Sequence, residues 1–155
     1  MGLPNVSVAS FNEEDISDFI ELSQAEYDSS VTTDVSHTRW KHIDSPYGSS
    51  TYIRLIKKDK TIGRALLQPK LFCSKTGEFS TACVTDVIIH PQYRSPPANF
   101  MTLTKASGNV SKFCSVYHTS NERTEPFYHK LFRLPNPFSL NSYGFPTKLS
   151  GIFSI

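Results

Sequence analysis

The sequence lacks the apolar segments that place a protein in or across a membrane. No apolar run approaches the length of about 20 residues that a membrane-spanning helix needs. The N-terminus also lacks the basic region followed by an apolar stretch that marks a secretory signal. These absences predict a protein without a membrane partner, and they make the cytoplasm the expected compartment.

The sequence has no excess of charge of one sign. Its 16 basic residues are scattered among 14 acidic ones, and the formal net charge is +2. The one basic cluster is formed by Lys57, Lys58 and Lys60, which is typical of a solvated hairpin end. A balance of this kind does not favour a nucleic-acid partner.

Paired metal ligands are absent as well. Cys73, Cys83 and Cys114 are odd in number, far apart and set among strand-like residues, so we expect buried, reduced thiols. The five histidines form no CxxC, HxxxH or HExxH pattern. The sequence therefore predicts no metal site.

The residues that are present suffice for one compact domain, because 155 residues with 38% hydrophobic content can bury a core. In the first half of the chain, hydrophobic periodicity and turn residues predict a strand over 5–10, a helix capped by Asn12, a short helix over 36–43 with Trp40 as its apolar anchor, and a hairpin over 51–57 and 61–68. In the second half they predict a turn at 74–77, a buried strand ending near His90, a helix over 98–108, a strand over 112–118, and a helix from about Thr124 to Leu134. This order predicts an α/β fold with a mixed sheet, whose hairpins are antiparallel and whose later βαβ unit is parallel.

The stretch from Ala82 to Met101, ACVTDVIIHPQYRSPPANFM, is the centre of the functional argument. Its β-branched residues predict a buried strand, and Pro91 with the Pro96-Pro97 pair ends that strand sharply. A helix then begins near Ala98. Backbone N–H groups at a helix start carry partial positive charge and attract phosphate, so the stretch favours an anion site.

Two segments carry a resemblance to a known family. Residues 86–99, DVIIHPQYRSPPAN, resemble a D-V-hydrophobic-V-H-P-x-Y-R strand that enters a glycine-rich pyrophosphate loop. Residues 121–132, NERTEPFYHKLF, resemble an N-E-R-A-x-x-L-Y-x-K-L-G-F helix. Over residues 1–134 the chain resembles bacterial GNAT-superfamily acetyltransferases. The resemblance implies a GNAT-like α/β fold with helices flanking a mixed central sheet, and an enzyme that moves an acyl group from acetyl-CoA to a primary amine by direct attack.

The resemblance also implies site residues. Tyr128 corresponds to the family tyrosine that protonates the departing thiolate. The base that accepts the amine proton is left open between His118, His90, Asp86 and an ordered water. The residues expected to contact acetyl-CoA are Ile88, Ile89, Arg94, Ser95, Ala98, Asn99, Phe100 and Asn121.

The predicted pyrophosphate loop departs from the family pattern. Counting from Arg94, the two glycine positions hold Pro97 and Asn99. Proline has no N–H to donate, so at least one backbone contact to a pyrophosphate is missing or is supplied differently. The alternative hypothesis is therefore a GNAT-fold binding or structural module that has lost the cofactor.

The C-terminal segment, residues 135–155, is apolar and contains only one charged residue, Lys148. It is expected to close the sheet as final strands, to dock on a partner in a homodimer, or to begin a second acyltransferase-like half. The acceptor is expected to be a small-molecule or peptide amine, and the sequence does not distinguish between these classes.

Overall fold

The computed structural model describes residues 4–27, 31–94 and 97–118, which form a five-stranded sheet with helices on both faces. The elements are, in chain order, β1 (Asn5–Ser10), α1 (Asp15–Gln24), α2 (Val35–His42), β2 (Thr51–Lys57), β3 (Lys60–Ser74), β4 (Gly77–Ile89), α3 (Ala98–Gly108) and β5 (Ser115–His118), with short 3₁₀ turns at Val31–Thr33 and Pro91–Tyr93.

The sheet has the strand order β1-β2-β3-β4-β5 and is mixed, as predicted. Strands β1 to β4 form an antiparallel meander, whereas β5 runs parallel to β4 after the crossover through α3. The β3–β4 hairpin is longer than expected, because its pairing continues to Ser74 and Gly77 at the tip. Strand β5 is shorter than expected and begins at Ser115 instead of Lys112.

The two faces of the sheet bury different cores. On one face Leu103 of α3 packs against Ile53, Leu55 and Leu67 in an apolar cluster. On the other face Phe19 of α1 joins a second cluster, which contains the sheet residues Tyr52 and Leu66 and the loop residue Phe11. The alternation of side chains along β2 and β3 sends neighbouring residues to opposite faces, which explains the separation.

The expected anchor of α2 is wrong. The helix lies where it was predicted, but Trp40 is 66% exposed and the buried residues are Thr38 and His42. The Asp34 side chain caps this helix by accepting a hydrogen bond from the His37 amide, and the Thr38 hydroxyl donates to the Asp34 carbonyl. This start turns the Thr38 and His42 face, four residues apart, toward the sheet and leaves Trp40 outside.

The expected burial of the thiols is wrong for two of the three. Cys83 is buried, whereas Cys73 and Cys114 are exposed, and none of the three forms a disulfide. Cys73 lies on the outer part of the β3–β4 hairpin, where residues 71–80 are exposed. Strand-like surroundings therefore did not imply burial there.

Several predictions concern residues outside the described ranges, namely the helix from Thr124 to Leu134 and the apolar segment 135–155. None of the described helices combines the length and apolarity that a membrane span requires. Within the same ranges, no group of three or more His, Cys, Asp or Glu side chains is arranged to hold a metal ion.

Candidate functional site

Strand β4 contains a β-bulge. Arg64 of β3 pairs with Ile88 and Leu66 pairs with Thr85, so the β4 strand carries an extra residue between these pairs. Asp86 lies in this bulge with φ +50°, a left-handed conformation that Asp tolerates better than most residues. The last β4–β5 pair among the described residues is that of Val84 and His118, at the end of the described part of β5. Beyond Val84, β4 has no β5 partner among the described residues.

A buried polar network holds the bulge from the α2 side. The Asp86 carboxylate accepts hydrogen bonds from Lys41 Nζ at 2.7 Å and from His42 Nε2 at 3.0 Å. Nδ1 of His42 in turn lies 2.9 Å from the Ser50 hydroxyl. Burial alone would raise the pKa of Asp86, but the His42 hydrogen bond and the charge of Lys41 hold that pKa well below its usual range. Asp86 is therefore a stable carboxylate.

The order of Ser50, His42 and Asp86 looks like a nucleophilic triad, but its environment contradicts that function. The Ser50 residue is fully buried and its amide donates to the His42 carbonyl at 2.8 Å. Burial lowers the pKa of His42, so its imidazole is neutral near pH 7. No substrate reaches a hydroxyl in that position, so the three side chains connect α2 to the bulge.

Arg64 holds the bulge from the α1 side and is itself fully buried. Its Nε donates to the Asp86 carbonyl at 3.3 Å. Its two terminal nitrogens donate to the Ser23 hydroxyl at 2.7 Å and to the Phe19 carbonyl, and its guanidinium lies 3.5 Å from the centre of the Phe19 ring. Burial lowers the pKa of Arg64 to about 10, which leaves the group charged at neutral pH.

The chain leaves β4 through a tight loop. A 3₁₀ turn follows His90, whose Nδ1 accepts a hydrogen bond from the Gln92 amide at 3.3 Å. The Arg94 side chain folds back over the strand end, where its Nε donates to the Ile89 carbonyl at 3.0 Å. A terminal nitrogen of Arg94 donates to the carboxylate of Glu26, which follows α1. The loop arginine is thereby attached to both β4 and the end of α1.

Helix α3 begins directly after this loop. The Asn99 side-chain amide donates to the Tyr93 carbonyl at 2.7 Å and ties the first turn of the helix to the loop. Pro97 is the N-cap residue and its carbonyl accepts from the Met101 amide at 3.1 Å. The amides of Ala98 and Asn99 lie in the first turn, before this bond, where a helix start offers donors to an anion.

A groove of about 510 Å³ lies on the α1 side of the same sheet end. Asp18, Glu21, Asp59 and Lys60 line it, and it reaches His90 after β4. The Asp18 carboxylate accepts the Tyr52 hydroxyl at 2.8 Å, and Glu21 pairs with Lys60 at 3.0 Å. Two of its three carboxylates are thus already engaged with neighbouring side chains.

Comparison with known proteins places this geometry in a fold. No family model and no curated protein matches the sequence. Solved structures do match. An aminoglycoside 6'-N-acetyltransferase from Acinetobacter haemolyticus superposes with a TM-score of 0.64 at 9% identity, covering 92% of this chain and 99% of its own. A GNAT family acetyltransferase from Staphylococcus aureus gives a TM-score of 0.53 at 16% identity, covering 93% and 98%. The chain has the GNAT acetyltransferase fold.

A further match shows that this fold occurs under other functional descriptions. A protein described as a transcriptional regulator from Bacillus halodurans has a TM-score of 0.62 at 12% identity and covers 91% of this chain and 100% of its own. Structural matches at these low identities establish the GNAT fold. The activity has to be inferred from the site itself. The fold predicted from the sequence is confirmed.

The structure brings most of the predicted cofactor-binding residues together. Those at the end of β4 and the start of α3 are Ile88, Ile89, Arg94, Ala98, Asn99 and Phe100. The side chains of Ile88 and Ile89 are buried, so a ligand there would meet their backbone. His118 lies beside Val84, five residues before Ile89 along the strand. Ser95, Asn121 and Tyr128 lie outside the described residues, and their roles stay predictions.

Sequence reasoning missed the residues that support this site. Arg64 stands in TIGRALLQ, the second strand of the predicted hairpin, where no role was predicted for it, yet it is among the most buried side chains. Neither His42 nor Lys41 was expected to contact Asp86, 44 and 45 residues away. Glu26 was expected only to continue α1. A long-range ion pair leaves no local pattern, although a charged residue inside an apolar run, as at Arg64, is a usable signal.

Proposed function

We propose that this protein is an acyl-CoA-dependent N-acyltransferase, and specifically an acetyltransferase, that moves the acyl group of acetyl-CoA to a primary amine by direct attack. One observation carries the proposal. The β4–loop–α3 unit offers an arginine and the backbone amides of a helix start to an anion at the end of β4, within a GNAT fold. An anion site between the end of a strand and the start of a helix suits a ligand with a phosphate-rich end.

The residues present fit the phosphate groups of acetyl-CoA. Arg94 and the amides of Ala98 and Asn99 would hold them, since each can donate a hydrogen bond. Pro97 contributes no N–H, so the contact surface is smaller than one built with glycine at that position. When bound, acetyl-CoA supplies a thioester-activated acyl group for attack by an amine.

The proton steps are assigned to side chains of this chain. His118 is proposed to accept a proton from the attacking amine, because histidine is the most frequent general base in enzymes and this one lies at the end of β5. Tyr128, outside the described residues, is proposed to protonate the departing thiolate. The acceptor is proposed to be a small-molecule or peptide amine.

A binding or structural module without cofactor is the second candidate. Two observations favour it: Pro97 cannot donate at the helix start, and the Arg94 side chain is already engaged by Glu26. In this function the chain, through its segment 135–155, would act within a homodimer or beside a second domain.

Thermal unfolding with and without saturating acetyl-CoA tests the proposal. Ligand at about 100 times its Kd stabilises a protein by about 2.7 kcal/mol. For a chain of this size, that should raise Tm by about 5 to 10 °C. The shift should be lost in Arg94→Ala and kept in Arg39→Ala, a control arginine that is also exposed and ion-paired, to Glu13 and Asp44. No shift in the folded wild-type protein would support the module instead.

A further inference from the structure

An ion pair joins Arg94, in the proposed phosphate loop, to the carboxylate of Glu26, in the turn that follows α1. We infer that Glu26 sets the affinity of this loop for anions, because it occupies the same arginine that a phosphate would use. The inference rests on the proposed function for its natural ligand, acetyl-CoA, and concerns Glu26, which was not among the predicted site residues.

The position of Arg94 shows why one carboxylate has this effect. The bond from its Nε to the Ile89 carbonyl fixes the guanidinium at the end of β4, so Arg94 cannot leave this place without losing a backbone partner. About half of the side chain is exposed, at 49%. A phosphate can therefore reach it from solvent, but it meets the negative charge of Glu26 there.

The position of Glu26 is also fixed. The amides of Glu26 and Tyr27 both donate to the Ser23 carbonyl, at 3.0 Å and 2.9 Å, in the turn that ends α1. The Glu26 side chain is only 26% exposed. Glu26, on a hydrogen-bonded turn, and Arg94, held by a strand carbonyl, are therefore already paired. An anion must displace Glu26 from Arg94 or share Arg94 with it.

The other charges near the loop do not duplicate this contact. The Lys57 ammonium lies 5.5 Å from the centre of the Tyr93 ring and adds positive charge beside the loop. A comparable acid on α1 is Glu21, which pairs with Lys60 at 3.0 Å and lines the groove described above. Glu21 thus offers a control with the same charge, on the helix that precedes Glu26, whose ion pair is with Lys60 and not with Arg94.

The size of the effect follows from the exposure of the pair. Exposed ion pairs contribute about 0.2 to 1 kcal/mol, and about 1.4 kcal/mol corresponds to a tenfold change in Kd. Replacement of Glu26 by Gln keeps an oxygen that accepts from Arg94 and removes only the charge. The Kd for an anion at the loop should therefore fall about 1.4- to fivefold.

The test is isothermal titration of acetyl-CoA, and separately of inorganic pyrophosphate, into wild type, Glu26→Gln, Glu21→Gln, Arg94→Ala and the Arg94→Ala/Glu26→Gln double variant at low salt. We expect tighter binding in Glu26→Gln alone, no change in Glu21→Gln, and no effect of Glu26→Gln when Arg94 is absent.

The outcomes separate this inference from the proposed function. If wild type binds acetyl-CoA and Glu26→Gln binds it equally well or more weakly, the inference is wrong and the proposed function still stands. Tighter pyrophosphate binding in Glu26→Gln, with no acetyl-CoA binding in any variant, supports the inference and rejects the function. If neither anion binds to any variant, both are wrong.

Discussion

Replacement of the buried Arg64 by Met should destabilise the protein more than replacement of any exposed arginine. Arg64 is fully buried and donates to the Phe19 carbonyl, the Ser23 hydroxyl and the Asp86 carbonyl. Methionine fills much of the same volume and keeps contact with the Phe19 ring, so the substitution removes mainly the donors and the charge.

The expected loss of unfolding free energy follows from the polar groups that lose Arg64 as a hydrogen-bond partner. The Phe19 carbonyl still accepts the Ser23 hydroxyl at 3.0 Å, so it keeps one partner. The Asp86 carbonyl in the bulge loses its bond from Nε, and a buried group left unpaired costs about 1 to 3 kcal/mol. Loss of the positive charge near the Asp86 carboxylate adds to this cost, since breaking a buried charge contact typically costs about 3 to 5 kcal/mol. Relief of the guanidinium desolvation offsets part of it, and we expect a net loss of about 2 to 4 kcal/mol.

Urea unfolding followed by circular dichroism measures this loss at pH 7. The matched control is Arg39→Met, because the Arg39 side chain is 51% exposed and pairs with Glu13 and Asp44. That variant should lose less than about 1 kcal/mol. Equal losses of unfolding free energy in the two variants, with unchanged m-values, would refute the assignment of Arg64 as the main polar connection between α1 and the bulge.

Two further predictions concern the same end of the sheet. Burial lowers the pKa of His42 in the fold, so its contribution to stability is present above the unfolded value near pH 6.5 and is lost as the pH falls below it. The unfolding free energy should therefore fall more steeply from pH 7 to 5 in wild type and in the control His37→Gln, at a half-buried position of the same helix, than in His42→Gln. Identical slopes would contradict this. A Cβ at Gly63 would lie 3.3 Å from the Ile88 carbonyl oxygen, whereas one at Gly108 would meet open space. Chemical denaturation should show a loss of about 1 to 3 kcal/mol for Gly63→Ala and no loss for Gly108→Ala, and comparable values for the two would show that β4 yields freely at this point.

Local patterns predicted the elements because local forces determine them. The turn residues Lys58 and Asp59 predicted where the β2–β3 hairpin reverses, and both adopt positive φ there. The break at Pro91 and the start of α3 at Ala98 followed from proline chemistry. The crossover between β4 and β5 then required a parallel pair. These steps depend on neighbouring residues, which a single sequence displays.

The interior of the α1 face could not be predicted in the same way. Arg64 and His42 are polar residues, and periodicity assigns polar residues to solvent. Their burial depends on partners far along the chain, such as Ser23 and Asp86, and no spacing rule brings these together. Trp40 fails for the opposite reason, since a large apolar side chain was assigned to the core although the capping of α2 turns it outward.

The same network bears on the choice of a catalytic base. Asp86 was one of the candidates, and it lies in the β4 bulge, two residues after the last described β4–β5 pair. A general base works best when its pKa lies near the working pH. The bond from His42 and the charge of Lys41 hold the pKa of Asp86 well below its usual range despite burial, so its carboxylate has little affinity for a proton at pH 7. The two interactions that stabilise the bulge thus disqualify its carboxylate as the base, and the assignment of this role to His118 gains from that exclusion.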